Sequence, residues 1–262
     1  MGDAMHFDAL ADSYGSARPP YPAELWKRVR RTGLVAPGRR AVDLGAGTGE
    51  ATGPLLAAGV DVVAVEPGPQ LAAVLAARHP TAKVVVARAE DAELGRAAFD
   101  LAVAATSIHW MDLDALLPQL HHALMPAGRF LVWRHVFGDP AAEPTPFRDR
   151  VARIVARRSR PPRAGNPEDV RSTAARLTAS GLFTVEDIDE YRWSIELDPE
   201  QTRGLFSTFS DWSRDEVDEV AAAVADLGGR VVEHYVSWLI VCAPVPESRA
   251  ARMPSGWPDS PR

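Results

Sequence analysis

The chain has 262 residues and a formal net charge of -6; 46% of it is hydrophobic and 24% charged, a globular composition that excludes wholesale disorder. That length suits one large α/β domain carrying a modest cap, and the negative balance argues against a surface built to grip a polyanion. A single cysteine, Cys242, leaves no partner for an internal disulfide or a paired-cysteine metal site.

The opening residues Met1 to His6 carry neither a cationic start nor an apolar run, so no signal peptide is expected. No stretch approaches the roughly 18 apolar residues of a membrane span, and the expected location is the cytoplasm. Of the 29 basic residues only Lys27 and Lys83 are lysines. Schiff-base, P-loop and Tyr-Lys dehydrogenase chemistries, which depend on a placed lysine, are disfavoured accordingly.

In chain order, Arg18-Pro19-Pro20-Tyr21-Pro22 bars a helix. The pattern of Leu25, Trp26 and Val29 then predicts one over 23–31, stopped by Gly33. Strands are expected at 40–44, 61–65, 82–87, 100–105 and 129–136. Between them the pattern predicts helices at 50–58, 69–78 and 112–124, the last kinked or broken at Pro118. Strands and helices alternating at this spacing predict a doubly wound, mostly parallel sheet with right-handed crossovers. Beyond Gly138 the spacing predicts helices over 147–158, 167–180 (Asn166 capping it and Gly181 ending it), 199–209 and 214–227 (Ser213 capping it). Strands are expected over 182–197 and 230–242. Residues 138–181 and 199–229 are expected to cap the carboxyl edge of the sheet within one domain spanning 1–245, and 246–262 to form a loose tail.

The strongest motif is Val42-Asp43-Leu44-Gly45-Ala46-Gly47-Thr48-Gly49, at the turn from the first strand. Its glycines let backbone N–H groups approach a ligand closely. Glu50 stands where the dinucleotide fingerprint would carry its third glycine. Asp43 would repel a pyrophosphate and suits an ammonium or sulfonium ligand instead. Glu66, at the end of the second strand, is placed to accept both hydroxyls of a ribose. Arg88-Ala89-Glu90-Asp91 follows the third strand, where adenine recognition would fall.

These segments, with Val65-Glu66-Pro67, Ala89-Glu90 and the stretch from Phe99-Asp100-Leu101 to His109-Trp110, resemble the class I S-adenosylmethionine-dependent methyltransferases, in the type-11 small-molecule grouping that includes trans-aconitate- and quinone-type enzymes. The resemblance is good over about 7–136 and follows element order alone thereafter. It implies a Rossmann-like, seven-stranded sheet with an antiparallel last strand. It further implies S-adenosyl-L-methionine as cofactor and S-adenosyl-L-homocysteine as product. Asp43, Gly45, Ala46, Gly47 and Thr48 are expected at the methionine portion, Glu66 and Pro67 at the ribose, and Ala89 and Glu90 beside the adenine. Leu71 stands where many relatives carry methionine. Thr106, His109 and Trp110 are expected along the pocket, and the segment from Phe7 to Pro22, with Tyr14 and Arg18, over the cofactor.

For the acceptor, His109 is the candidate base, although it and Trp110 read first as pocket wall. A small, partly apolar acceptor is expected beneath the cap, with Phe147, Phe206, Phe209 and Trp212 supplying its walls. Thr106-Ser107-Ile108-His109 is not the box of amino-methylating nucleic-acid enzymes. Asp112 and Asp114 lack a third metal ligand, so no metal is expected. Arg150, Arg153 and Arg157 share a helix face that reads as solvated, so no nucleic-acid partner is expected; a monomer or homodimer is. The alternatives are an NAD-dependent oxidoreductase and a catalytically silent S-adenosylmethionine-binding module.

Overall fold

A computed structural model describes Asp8 and residues 17–158 and 169–246. Its strands are β1 (Arg40–Leu44), β2 (Asp61–Val65), β3 (Lys83–Val85), β4 (Phe99–Ala105), β5 (Leu124–Phe137), β6 (Phe183–Leu197) and β7 (Val231–Pro244). The helices are α1 (Ala23–Arg30), α2 (Thr52–Ala57), α3 (Pro69–Arg78), α4 (Leu113–Ala123), α5 (Pro146–Ala156), α6 (Val170–Thr178), α7 (Pro199–Ser207) and α8 (Arg214–Asp226). The strands form one seven-stranded sheet in the order β3-β2-β1-β4-β5-β7-β6. Its first five pair parallel, and β7 runs antiparallel to both β5 and β6. This is the expected sheet, and the order reverses on either side of β1. The carboxyl ends of β1 and β4 therefore diverge into a crevice, the place where open α/β sheets bind ligands.

Burial explains the strands. In β1 every residue after Arg40 is buried, as is the middle of β4. These are the continuous apolar runs of a sheet covered on both faces. One face packs Leu113, Leu116, Leu117 and Leu120 of α4 and Ala174 and Leu177 of α6. The other packs Leu25, Trp26 and Val29 of α1 and Leu55 of α2.

Several boundaries differ from expectation. Only Lys83–Val85 of the predicted 82–87 strand pairs, in register with Val63–Val65. The fifth strand begins early at Leu124, which pairs with Phe99 before a register shift, because the side chain of Leu124 is buried there. Helix α4 passes through Pro118 unbroken. Proline costs it one backbone bond on an exposed side, while its leucine stripe stays buried. Helix α6 is shorter than expected, and Asp169 caps it by accepting from Ser172 N at 2.7 Å. The expected cap residue Asn166 lies outside the described residues.

The predicted cap stretches divide. Helices α5, α7 and α8 close a third core of Phe147, Val151, Ile154, Leu205, Phe206, Val217, Val220 and Val224 against the far ends of β5, β6 and β7. Helix α6 instead joins α4 on the sheet face. Arg157 and Arg158 bind Glu219 and Glu216 of α8, so these arginines fasten the cap together.

Candidate functional site

A cavity of about 590 Å³ opens at the carboxyl edge between β1, β2 and β4, within the usual range for small-ligand sites. The loop 45–49 forms its floor. Gly45 N and Ala46 N both donate to Val65 O, at 2.8 and 3.1 Å, which draws the loop across the end of β2. Gly45 has φ +67°, and a Cβ there would lie 2.6 Å from that of Ser107. Ser107 in turn donates to Leu44 O at 2.6 Å. At Gly49, with φ +99°, a Cβ would meet the His79 ring at 2.4 Å. Glycine is therefore required at both positions by conformation and by space.

The carboxylates of the site lie around this loop. Glu66 is 5% exposed and accepts from Gly47 N and Gly68 N, each at 2.8 Å. Burial raises its carboxyl, and those two amides oppose the rise. Each of its oxygens keeps a second lone pair for a ligand hydroxyl. Asp43 is wholly buried beneath the loop, where Oδ2 accepts from Thr52 Oγ1 at 2.7 Å and Oδ1 has no hydrogen-bond partner. Burial pushes it up to about 7, against the hydrogen bond from Thr52. Thr48 donates to Glu50, and Glu50 lies on the cavity wall.

The expected site residues separate into four groups. Arg18, Gly45, Ala46, Gly47, Glu66, Pro67, Leu71, Ala89, Glu90, Thr106 and Trp110 line the cavity. Asp43, beneath the loop, and Thr48, within it, are buried and do not line the cavity. His109 lies off the wall; its Nδ1 is 2.7 Å from Arg134 Nη1, and its ring packs on Trp110. Because an arginine only donates, Nδ1 is the acceptor of that bond and is not available as a base. Tyr14 lies outside the described residues.

The cap aromatics depart from expectation. Phe206 packs against Phe137, Phe147, Phe209 and Trp212 within the third core, and none of the cap aromatics lines the cavity. Its far wall is Pro19, Pro20, Tyr21, Trp26 and His135. Tyr21 was legible as part of the helix-barring segment and of the stretch from Phe7 to Pro22 expected over the cofactor. His135 looked like an ordinary strand residue, and its position at the carboxyl end of β5 was the available signal. Tyr21 Oη lies 3.0 Å from Thr106 Oγ1, and Thr106 holds φ +59°, a strained conformation of the kind found at ligand sites. Asp8 accepts from Gln70 N and Leu71 N, closing the N-terminus of α3 beside the site. Among the described residues no cluster of three His, Cys, Asp or Glu side chains suits a metal, and no helix is long and apolar enough to cross a membrane.

Residues 42–132 match the methyltransferase domain family. Over 131 residues the chain is 37% identical to an uncharacterized methyltransferase of Mycobacterium tuberculosis, an alignment covering 50% of this chain and 52% of the relative. The chain thus spans about half the length of that curated relative. It is 31% identical over 201 residues to a ubiquinone/menaquinone biosynthesis C-methyltransferase of Rubrivivax gelatinosus, covering 70% and 76% of the two chains. A solved structure from Anaeromyxobacter dehalogenans, assigned as a type II methyltransferase, superposes with a TM-score of 0.63 at 26% identity, covering 87% of this chain and 97% of that one. With the sheet order, the glycine loop and the acid ending β2, these likenesses lead to one conclusion: the chain belongs to the class I S-adenosylmethionine-dependent methyltransferases.

Proposed function

We propose that this protein transfers a methyl group from S-adenosylmethionine to a small-molecule acceptor, releasing S-adenosylhomocysteine. The observation that carries the reading is the acidity around the glycine loop. Glu50 and Glu66 line the cavity and Asp43 is buried beneath it, an environment that favours a cationic ligand and opposes a pyrophosphate. The unpartnered Oδ1 of Asp43 adds to the negative potential at the place where the sulfonium and ammonium would sit. In this reading Gly45, Ala46 and Gly47 hold the methionine portion over Asp43 and Thr48. Glu66 and Pro67 hold the ribose, and Leu71, Ala89 and Glu90 enclose the adenine. Arg18, Thr106 and Trp110 stand where methionine portion and acceptor meet.

The ubiquinone/menaquinone enzyme among the relatives is named for the C-methylation of a small molecule, which supports a small acceptor here. A cavity of this size and the overall negative charge support the same choice over a nucleic acid. We place the protein in the cytoplasm, as a monomer or homodimer built on one domain over 1–245; the expected tail lies almost wholly outside the described residues. Titration calorimetry tests the cofactor: S-adenosylhomocysteine is expected to bind in the micromolar range and NAD not at all. The reverse preference would establish the oxidoreductase alternative. Binding of S-adenosylmethionine without turnover across a wide acceptor panel would mark a silent module.

A further inference from the structure

The glycine loop and the first turn of α2 form a layer between the cavity and a histidine. On one side Gly45, Ala46, Gly47, Glu50, Ala51 and Pro54 line the cavity. On the other stands His79, the residue that follows the last turn of α3. A Cβ on Gly49 would lie 2.4 Å from His79 Cδ2, and one on Gly53 would lie 2.7 Å from His79 Cε1. The same edge of the ring therefore faces both glycines. Its Nε2 sits between them, 2.8 and 3.2 Å from the two Cβ positions, so a side chain at either glycine displaces the ring. Gly53 N donates to Gly49 O at 2.9 Å, and the ring thus packs across a closed backbone turn. The base of His79 is fixed. Its N–H donates to Leu75 O at 2.8 Å, and its carbonyl accepts from Ala82 N at 2.9 Å. Neighbouring residues of α3 reach the same loop. Leu75 packs with Ala46 in a small core, and Arg78 Nη1 is 3.7 Å from Glu50 Oε1. Leu71, near the start of the helix, lines the cavity itself.

Resting on the methyltransferase reading, we propose that His79 is a positioning residue: its ring, wedged behind Gly49 and Gly53, sets the height of the glycine loop and with it the affinity for the cofactor. His79 is not on the cavity wall, so it acts through the loop. Packed interiors pass on a displacement because they hold little free volume. A loop already held at its bound height spares the ligand the cost of ordering it. The amides that define this height are all engaged: Gly45 N and Ala46 N with Val65 O, Gly47 N with Glu66 Oε2, and Gly49 N with Ala46 O. Removing the wedge loosens these bonds while leaving every partner in place. S-adenosylmethionine and S-adenosylhomocysteine lose affinity alike, because the loop carries the methionine portion that the two share.

The test compares the full chain with His79→Ala, His79→Gln, Gly53→Ala and the double variant His79→Ala/Gly53→Ala. By calorimetry, His79→Ala should weaken S-adenosylhomocysteine about tenfold, the cost of ordering a freed loop. His79→Gln is long enough to reach the place of Nε2 and should stay within about threefold of wild type. Gly53→Ala should weaken binding while the ring is present and add nothing once residue 79 is alanine, as coupled neighbours do. Gly53 has no positive φ, so without the ring alanine suits its helical position. Phe206→Ala is the control for stability alone, since it lowers the melting temperature far from the loop and should leave this affinity unchanged. Hydrogen exchange in the ligand-free protein follows the amides of 45–49, which should exchange faster in His79→Ala and recover in His79→Gln. Thermal melts establish that each variant folds, and Gly53→Ala carries the test if His79→Ala does not. A wild-type affinity in His79→Ala, equal effects of Gly53→Ala in both backgrounds, or unaltered loop exchange overturns the proposal. If the wild type itself fails to bind S-adenosylhomocysteine, the methyltransferase reading falls, and loop exchange still decides whether His79 holds the loop.

Discussion

Glu66 and Asp43 are both acids of the loop region, but their surroundings give them different work. Glu66 ties the loop to the following turn through Gly47 N and Gly68 N and reaches the cavity. Replacing it with alanine should weaken S-adenosylhomocysteine by about 1–3 kcal/mol, leaving ligand hydroxyls poorly paired; an unchanged calorimetric Kd would remove it from the ribose. Asp43 is a stability group as well as an electrostatic one. Its carboxyl sits at about 7 in the folded chain, against the usual 3.8 of an aspartate. Its favourable share of stability is therefore complete below about pH 4 and is lost as pH rises through about 7. Relative to Asp43→Asn, the wild type should lose on the order of 4 kcal/mol of unfolding free energy over that window. Urea titrations of both proteins at pH 4, 5.5 and 7.5 read the difference, and a constant difference would place the ionised form in the native state throughout. At this scale the glycine loop and Glu66 were legible because each follows directly on the end of a strand that the local pattern marks. The hidden position of Asp43, the engagement of His109 and the place of His135 on the cavity wall depend on neighbours far away in sequence.

Elements were read well where a local signal marks their ends. Ser213 was legible as a cap, and it forms a capping box with Glu216 at the head of α8. Ser213→Ala should cost about 1 kcal/mol, lowering the melting temperature by roughly 2–4 °C with no change in S-adenosylhomocysteine affinity. A change in that affinity would mean the cap communicates with the cofactor end. Elements were misread where tertiary contacts overrule local preference. Pro118 is a breaker by chemistry, but the buried face of α4 holds the helix through it. Leu124 continues the helical pattern, yet the edge of β4 recruits it into β5.

For the whole molecule, the third core ties α5, α7 and α8 to the ends of the same three strands that complete the sheet. Cap and sheet should consequently unfold together. Scanning calorimetry is expected to show one transition, and Phe206→Ala, which empties the centre of the cap core, should shift that single transition downward by about 3–5 kcal/mol of stability. Two separable transitions in that variant would show that the cap is an independent unit.

Alternating apolar runs, the glycine loop and the acid after the second strand were enough to determine a doubly wound sheet and a ligand site at its carboxyl edge, because periodicity and turn chemistry act within a few residues. The sequence also carried the cap helices, but not what they cover. Their aromatics are as apolar as any pocket wall, and apolar pattern cannot distinguish a side chain that faces a cavity from one that faces another helix. Only the tertiary structure turned Phe206 and Trp212 into cap core. It also brought Arg18, Tyr21 and Trp26 from before the first strand to the same cavity wall as His135 from the fifth.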